Sequence, residues 1–115
     1  MEKEFIPYEQ SLALKELGFD EKCLSCYLYE VETFSWELNY QISNNSIPWI
    51  ISAPLYQQAF RWFRKKYFKM SYVYYDVEYK FCFCIGYNDK TKGFNTYEEA
   101  ELACLKELIE LVKNK

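Results

Sequence analysis

The chain predicts an α+β fold in one domain spanning residues 1–115. The expected arrangement is an antiparallel sheet of about four strands with three helices, ordered α-β-β-α-β-β-α and packed mainly on one face. Three observations carry this. Residues 33–42 alternate Phe34, Trp36, Leu38, Tyr40 and Ile42 with polar neighbours, the period of a half-buried strand. Residues 54–67 place Leu55, Tyr56, Ala59, Phe60, Trp62, Phe63 and Tyr67 on a little under half of a helix circumference. Thr96 followed three residues later by Glu99 forms a capping box ahead of an apolar stripe.

In chain order, Pro7 to Leu17 reads as the first helix, with Gly18 at its left-handed C-cap. Ser25 to Val31 and then Thr33 to Ile42 read as strands. Ser43-Asn44-Asn45-Ser46 is a turn, and 47–53 a connection or short edge strand interrupted by Pro48. Pro54 lies just before the central helix or at its first position, and the helix's three large aromatic rings demand a cover and make it central to the core. Residues 71–87 are expected to form two strands turning near Asp76–Glu78. In the second, Phe81, Phe83 and Ile85 share one face, and Lys80, Cys82 and Cys84 the other. Residues 88–93 read as an exposed loop. The final helix carries Tyr97, Ala100, Cys104, Leu105, Leu108, Leu111 and Val112 as its core stripe.

Half of the 115 residues are hydrophobic and 21% aromatic, which excludes a disordered chain. The net charge of −3 is unevenly placed. Residues 1–32 hold eight acidic and three basic side chains, whereas 54–75 hold five basic ones and no acid. With no apolar leader and no apolar run of spanning length, and with five cysteines, a cytoplasmic protein is expected, with no membrane contact.

The catalytic inventory is poor. There is no histidine, the commonest general base and metal ligand, and the three glycines are too scattered for a phosphate loop. No catalytic residues and no cofactor are expected, and the reading is not an enzyme. Cys23 and Cys26 with Cys82 and Cys84 could supply four thiolates to zinc. A Cys-x-Cys pair within a strand, however, sets its sulfurs about 7 Å apart on one face. Buried thiols acting as small apolar groups are the plainer reading, with neither metal nor disulfide expected.

The candidate partner-binding residues are Arg61, Arg64, Lys65 and Lys69 on the outer face of the central helix and just beyond it, together with Trp49. A basic face with aromatic anchors suits an acidic protein surface. The alternative is nucleic-acid binding through the basic helix 55–69, and a second alternative is a small metal- or thiol-dependent protein. The C-terminal strand-strand-helix superficially resembles a double-stranded-RNA-binding domain. Glu98, Glu99 and Glu101 stand where such a domain needs basic residues, and would repel phosphate.

Three blocks taken together resemble a small uncharacterised protein group of Bacteroidota genomes and their phages or prophages. They are residues 7–21, residues 56–64 (Tyr56-Gln57-Gln58-Ala59-Phe60-Arg61-Trp62-Phe63-Arg64) and residues 96–105, which begin Thr96-Tyr97-Glu98-Glu99-Ala100. The resemblance covers the three helices and brings no activity or site residues. It implies a context: a phage-type inhibitor that binds a host protein or ribonucleoprotein complex, for example a defence nuclease, in the manner of an anti-CRISPR protein.

Overall fold

The structure, a computed structural model, describes residues 4–28, 34–36, 50–86 and 88–113. Its elements run α1 (Tyr8–Glu16), β1 (Ser25–Leu28), β2 (Phe34–Trp36), β3 (Ile50–Ala53), α2 (Tyr56–Tyr67), β4 (Ser71–Asp76), β5 (Lys80–Ile85), β6 (Asn88–Phe94) and α3 (Tyr97–Lys113). The chain is α+β, with all described strand pairs antiparallel, as the sequence predicts. Among the described residues the strands do not join in one sheet of about four but form two three-stranded sheets, ordered β2-β1-β3 and β4-β5-β6. The α-β-β-α-β-β-α order survives with one added strand in each half. By compactness the chain divides into residues 1–59 and residues 60–115.

In the first unit, Pro7 stands at the N-cap of α1, and Gly18 takes the left-handed conformation (φ 99°) that closes its C-terminus. Phe19 N donates to Leu14 O and Gly18 N to Lys15 O, so the last carbonyls are satisfied by a Schellman turn. Beyond it, β1 pairs Cys26 with Ser35 of β2 on one side and with Ser52 of β3 on the other. All four residues of β3 are buried, so this stretch is a packed edge strand, not a connection. Phe5, Tyr27, Ile51 and Ala53 form the core here, with Tyr8, Leu12, Leu24 and Phe34 packed on it. Its polar groups are used locally. Tyr27 Oη and Ser11 Oγ both donate to Ile6 O, Ser25 Oγ donates to Ala53 O, and Lys15 Nζ donates to Ile50 O at 2.8 Å. The expected strand over 33–42 is described only at Phe34–Trp36. The strand end 29–31, the turn 43–46 and the connection through Pro48 lie outside the described residues.

In the second unit, β4 and β5 pair residue for residue from Ser71↔Ile85 to Asp76↔Lys80. Asp76 shapes the three-residue turn, because its Oδ1 accepts from Glu78 N (2.8 Å) and Tyr79 N (3.1 Å). Residues 88–93, expected as a loop, belong to β6, which pairs with β5 across an irregularity between Phe81 and Phe83. Their charged sequence concealed a strand because an edge strand needs only its backbone to pair. α3 lies along β5, flanked by β4 and β6. Phe81 meets Tyr97 edge to face at 6.3 Å, so the Phe81/Phe83/Ile85 face is the one turned toward α3. Cys82 and Cys84, on the other face, are also buried, so β5 departs from the expected one-sided cover. The N-cap bond of the capping box forms as predicted, with Glu99 N donating to Thr96 Oγ1 at 3.1 Å, and Glu99 Oε1 accepts from the Thr96 hydroxyl at 3.0 Å.

The α3 stripe differs from its pattern at four positions: Tyr97 is 40% exposed and Leu111 half-buried, whereas Ile109 and Glu101 are buried. Glu101 is 8% exposed, although it stands among three glutamates at the helix start. Burial first, and the nearby Glu98 second, push its carboxyl up to about 7. A carboxyl held above its ordinary value favours the folded state while it is protonated. That contribution is complete below about pH 4.5 and is lost as pH rises through about 7. Glu101→Gln is therefore expected to leave stability nearly unchanged near pH 4.5 and to raise it by about 1–3 kcal/mol near pH 8. Thermal melts of both proteins across that range check this. Equal pH dependence in the two would mean that Glu101 is ionised freely in the folded state.

Candidate functional site

The central helix is amphipathic as its sequence requires. Tyr56, Ala59, Phe60, Trp62 and Phe63 are buried, whereas Arg61 and Lys65, one turn apart, are exposed. Leu55, assigned to the apolar stripe, is 38% exposed because it precedes the helix and its carbonyl accepts the first helical bond from Ala59 N. Pro54 therefore lies outside the helix. Arg64 is half-buried on the flank of the basic face. Lys66 plays a different part: its Nζ stands 5.2 Å from the Trp62 ring centre and 5.8 Å from that of Tyr67. A lysine laid over two rings covers apolar surface with its stem and gains a cation–π attraction.

The end of α2 contains a residue that the helix pattern did not single out. Phe68 takes a left-handed backbone (φ 57°) and is 83% exposed. Its N–H still bonds Arg64 O, and Lys69 N reaches back to Phe63 O, so the turn is held by hydrogen bonds despite its strain. For a residue with a Cβ that conformation costs roughly 1–2 kcal/mol. Half-buried Lys69 and the 58%-exposed Met70 follow. Two large exposed apolar side chains thus follow Arg64 and Lys65 in the chain and flank Lys69. The sequence held a signal for this. Continued at 100° per residue, Phe68 falls on the basic azimuth of Arg61 and Lys65, where an aromatic serves no core.

The structure places Arg61, Arg64, Lys65 and Lys69 along one helix and its exit, and it adds Phe68 and Met70 to them. Trp49 lies outside the described residues. No acid stands in the first turn of α2, and the basic last turn complements the negative end of the helix dipole. That role accounts for the charge of the last turn, but not for the exposed aromatic beside it.

The cysteines are all free and all buried. Burial, with Glu21 adding to it, pushes the Cys23 thiol up to about 12. Burial likewise raises Cys26 and pushes Cys104 up to about 12. Cys23 Sγ points at the carbonyl of Glu21 as a donor, which suits a protonated thiol. Thiols in this state are poor nucleophiles and poor metal ligands. Among the described residues, no group of three or more cysteine or carboxylate side chains is arranged to share an ion.

The fold and this surface together define a small α+β protein with a basic helix end that carries exposed apolar side chains. Comparison of the chain with protein-family models, with curated proteins and with solved structures yields no match. Among the described residues, no helix is long and apolar enough to cross a membrane.

Proposed function

We propose that this chain is a non-enzymatic protein-binding module. The end of α2 docks on an acidic surface of its partner, with Arg61, Arg64, Lys65 and Lys69 meeting carboxylates and Phe68 as the apolar anchor. The observation that carries this reading is Phe68, an aromatic side chain left in water on a strained backbone, between Arg64 and Lys65 on one side in sequence and Lys69 on the other. Strain retained where it serves no packing supports a role in recognition. Interfaces draw most of their energy from a few buried aromatic and arginine side chains, and charge sets orientation and rate. The resemblance to phage-associated proteins makes a host enzyme or defence nuclease complex the first partner to seek.

The test separates binding from folding. Phe68→Gly relieves the left-handed strain, so its melting temperature should equal or exceed the wild type's. Its affinity for a partner captured from a Bacteroidota lysate should fall by about thirtyfold or more. Arg61→Glu, Arg64→Glu and Lys65→Glu combined should abolish capture in a folded protein. Binding of the wild type to random DNA or RNA at physiological salt, lost in the triple variant, would put the nucleic-acid reading first instead. Such binding would also weaken steeply with salt, because each phosphate contact releases counterions.

A further inference from the structure

Glu101 is a covered carboxyl without a counterion. It is 8% exposed, and among the described residues no hydrogen bond or ion pair reaches its side chain. On a helix a cation would reach it from three or four positions away. Those positions hold Tyr97, Glu98, Cys104 and Leu105, none of them basic. Lys80, the cation next to Phe81, donates to Asn95 Oδ1 instead. Like charge gathers here: burial first, then Glu101 and Glu98, raise the Tyr97 phenol, so both carboxyls lie close to it. A row of rings continues from Tyr97. Tyr75 of β4 stands opposite Phe81 of β5 with ring centres 5.2 Å apart at 70°, and Phe81 meets Tyr97 at 88°. The row is open to solvent, since Tyr75 is 62% exposed, Tyr97 is exposed and Phe81 is half-buried.

We propose that this face is a guanidinium site, at which Glu101 and Glu98 hold an arginine of a basic peptide segment and the row of Tyr97, Phe81 and Tyr75 supplies the rings it lies on. The chemistry selects that occupant. An ionised carboxyl covered this far and left without a cation is destabilised, and a cation carried in by a partner relieves it. A guanidinium can give a carboxylate two parallel N–H bonds while its plane rests on an aromatic face. It is also more weakly hydrated than an ammonium, so it loses less on leaving water. A metal ion fits poorly, because it needs several oxygen ligands and among the described residues no three acidic or cysteine side chains are arranged to share one. An open row of rings does not enclose a free ion, so the cation needs a chain that makes contacts on either side of it. Asp76 and Glu78 follow Tyr75 in the turn and Glu99 stands in the first turn of α3, so further basic residues on that chain meet opposite charge. The charge of this face is opposite to that of the α2 surface, and the two take different ligands.

Calorimetric titration of the full chain near pH 8, where Glu101 is ionised, with a blocked glycine peptide carrying two arginines reads this directly. The wild type should bind at physiological salt with a Kd of about 1 mM, and the ring protons of Tyr75 and Tyr97 should shift as it does. Glu101→Gln, expected above to be at least as stable as the wild type at this pH, should weaken binding by about tenfold. Glu110→Gln removes the same charge from an exposed position of α3 and should leave binding unchanged. Tyr75→Ser should cost about threefold, one exposed cation–π contact, and a lysine version of the peptide about fivefold. A wild type that does not bind the peptide at about 10 mM overturns the proposal. So do equal losses in Glu101→Gln and Glu110→Gln, which would mean attraction by net charge alone. Guanidinium chloride binding as tightly as the peptide would assign the face to a free ion and overturn the peptide. Wild-type dimers in sedimentation that Glu101→Gln abolishes would give the face to Arg61 or Arg64 of a second copy, with the same result. The triple variant at Arg61, Arg64 and Lys65 should bind the peptide as the wild type does, so this site and the docking reading can fail separately.

Discussion

Phe63→Ala is expected to remove about 3–5 kcal/mol of stability, the range for a buried phenylalanine reduced to a methyl group. Phe63 has no exposed surface, and its ring lies 5.1 Å from that of Trp62 and 6.0 Å from that of Tyr67. Truncation leaves those two rings lining a cavity with no atoms on one side, which forfeits their dispersion contacts as well as the transfer energy. A domain of this size holds only about 5–15 kcal/mol in total, so much of the protein should unfold. The melting temperature should fall by roughly 10–30 °C. Phe63→Leu, which keeps most of the volume, should lose far less. A melting temperature unchanged by Phe63→Ala would mean that this face of α2 is not part of the core.

Gly93→Ala is expected to detach β6 or to unfold the second unit. A methyl group added at Gly93 would overlap the carbonyl oxygen of Tyr79 and lie 2.6 Å from its carbonyl carbon. Both atoms are backbone, at the turn between β4 and β5, so no side chain can move aside. Tyr79 is fixed in turn by its N–H bond to Asp76 Oδ1, and Lys80 follows it with a left-handed backbone (φ 68°). The strand must therefore retreat from β5, at a loss of about 2–4 kcal/mol. Gly86→Ala is the control. Its added methyl meets nothing within 4 Å, and only its positive φ (62°) opposes the change. That strain is worth about 1 kcal/mol. Amide exchange should show residues 88–94 opening in Gly93→Ala and remaining protected in Gly86→Ala. Equal losses in the two variants would mean that backbone conformation, not the approach of Tyr79, sets the requirement for glycine.

What the amino-acid sequence determined by itself was the set of elements whose signals are local. The N-cap at Thr96 with Glu99, Gly18 after α1, the turn near Asp76–Glu78 and the buried face of α2 all depend on residues within a few positions of one another. Periodicity reports which face is apolar, and a cap reports where a helix begins, without reference to the rest of the chain. Tertiary structure decided what depends on distant neighbours. Whether strands share one sheet or two is set by which edges meet, and hydrogen-bonding edges leave no mark in side-chain pattern. For that reason the sequence leaves β3 between a connection and a short edge strand, and makes β6 look like a loop. The burial of Glu101 was hidden for the same reason, since a glutamate in a first turn has an ordinary explanation in the helix dipole. Phe68 stands between the two cases. Its azimuth on the basic face was legible in the sequence, but its left-handed backbone and its exposure arise from how α2 ends and β4 begins. The candidate site was therefore half legible: its cations were, and its apolar anchor was not.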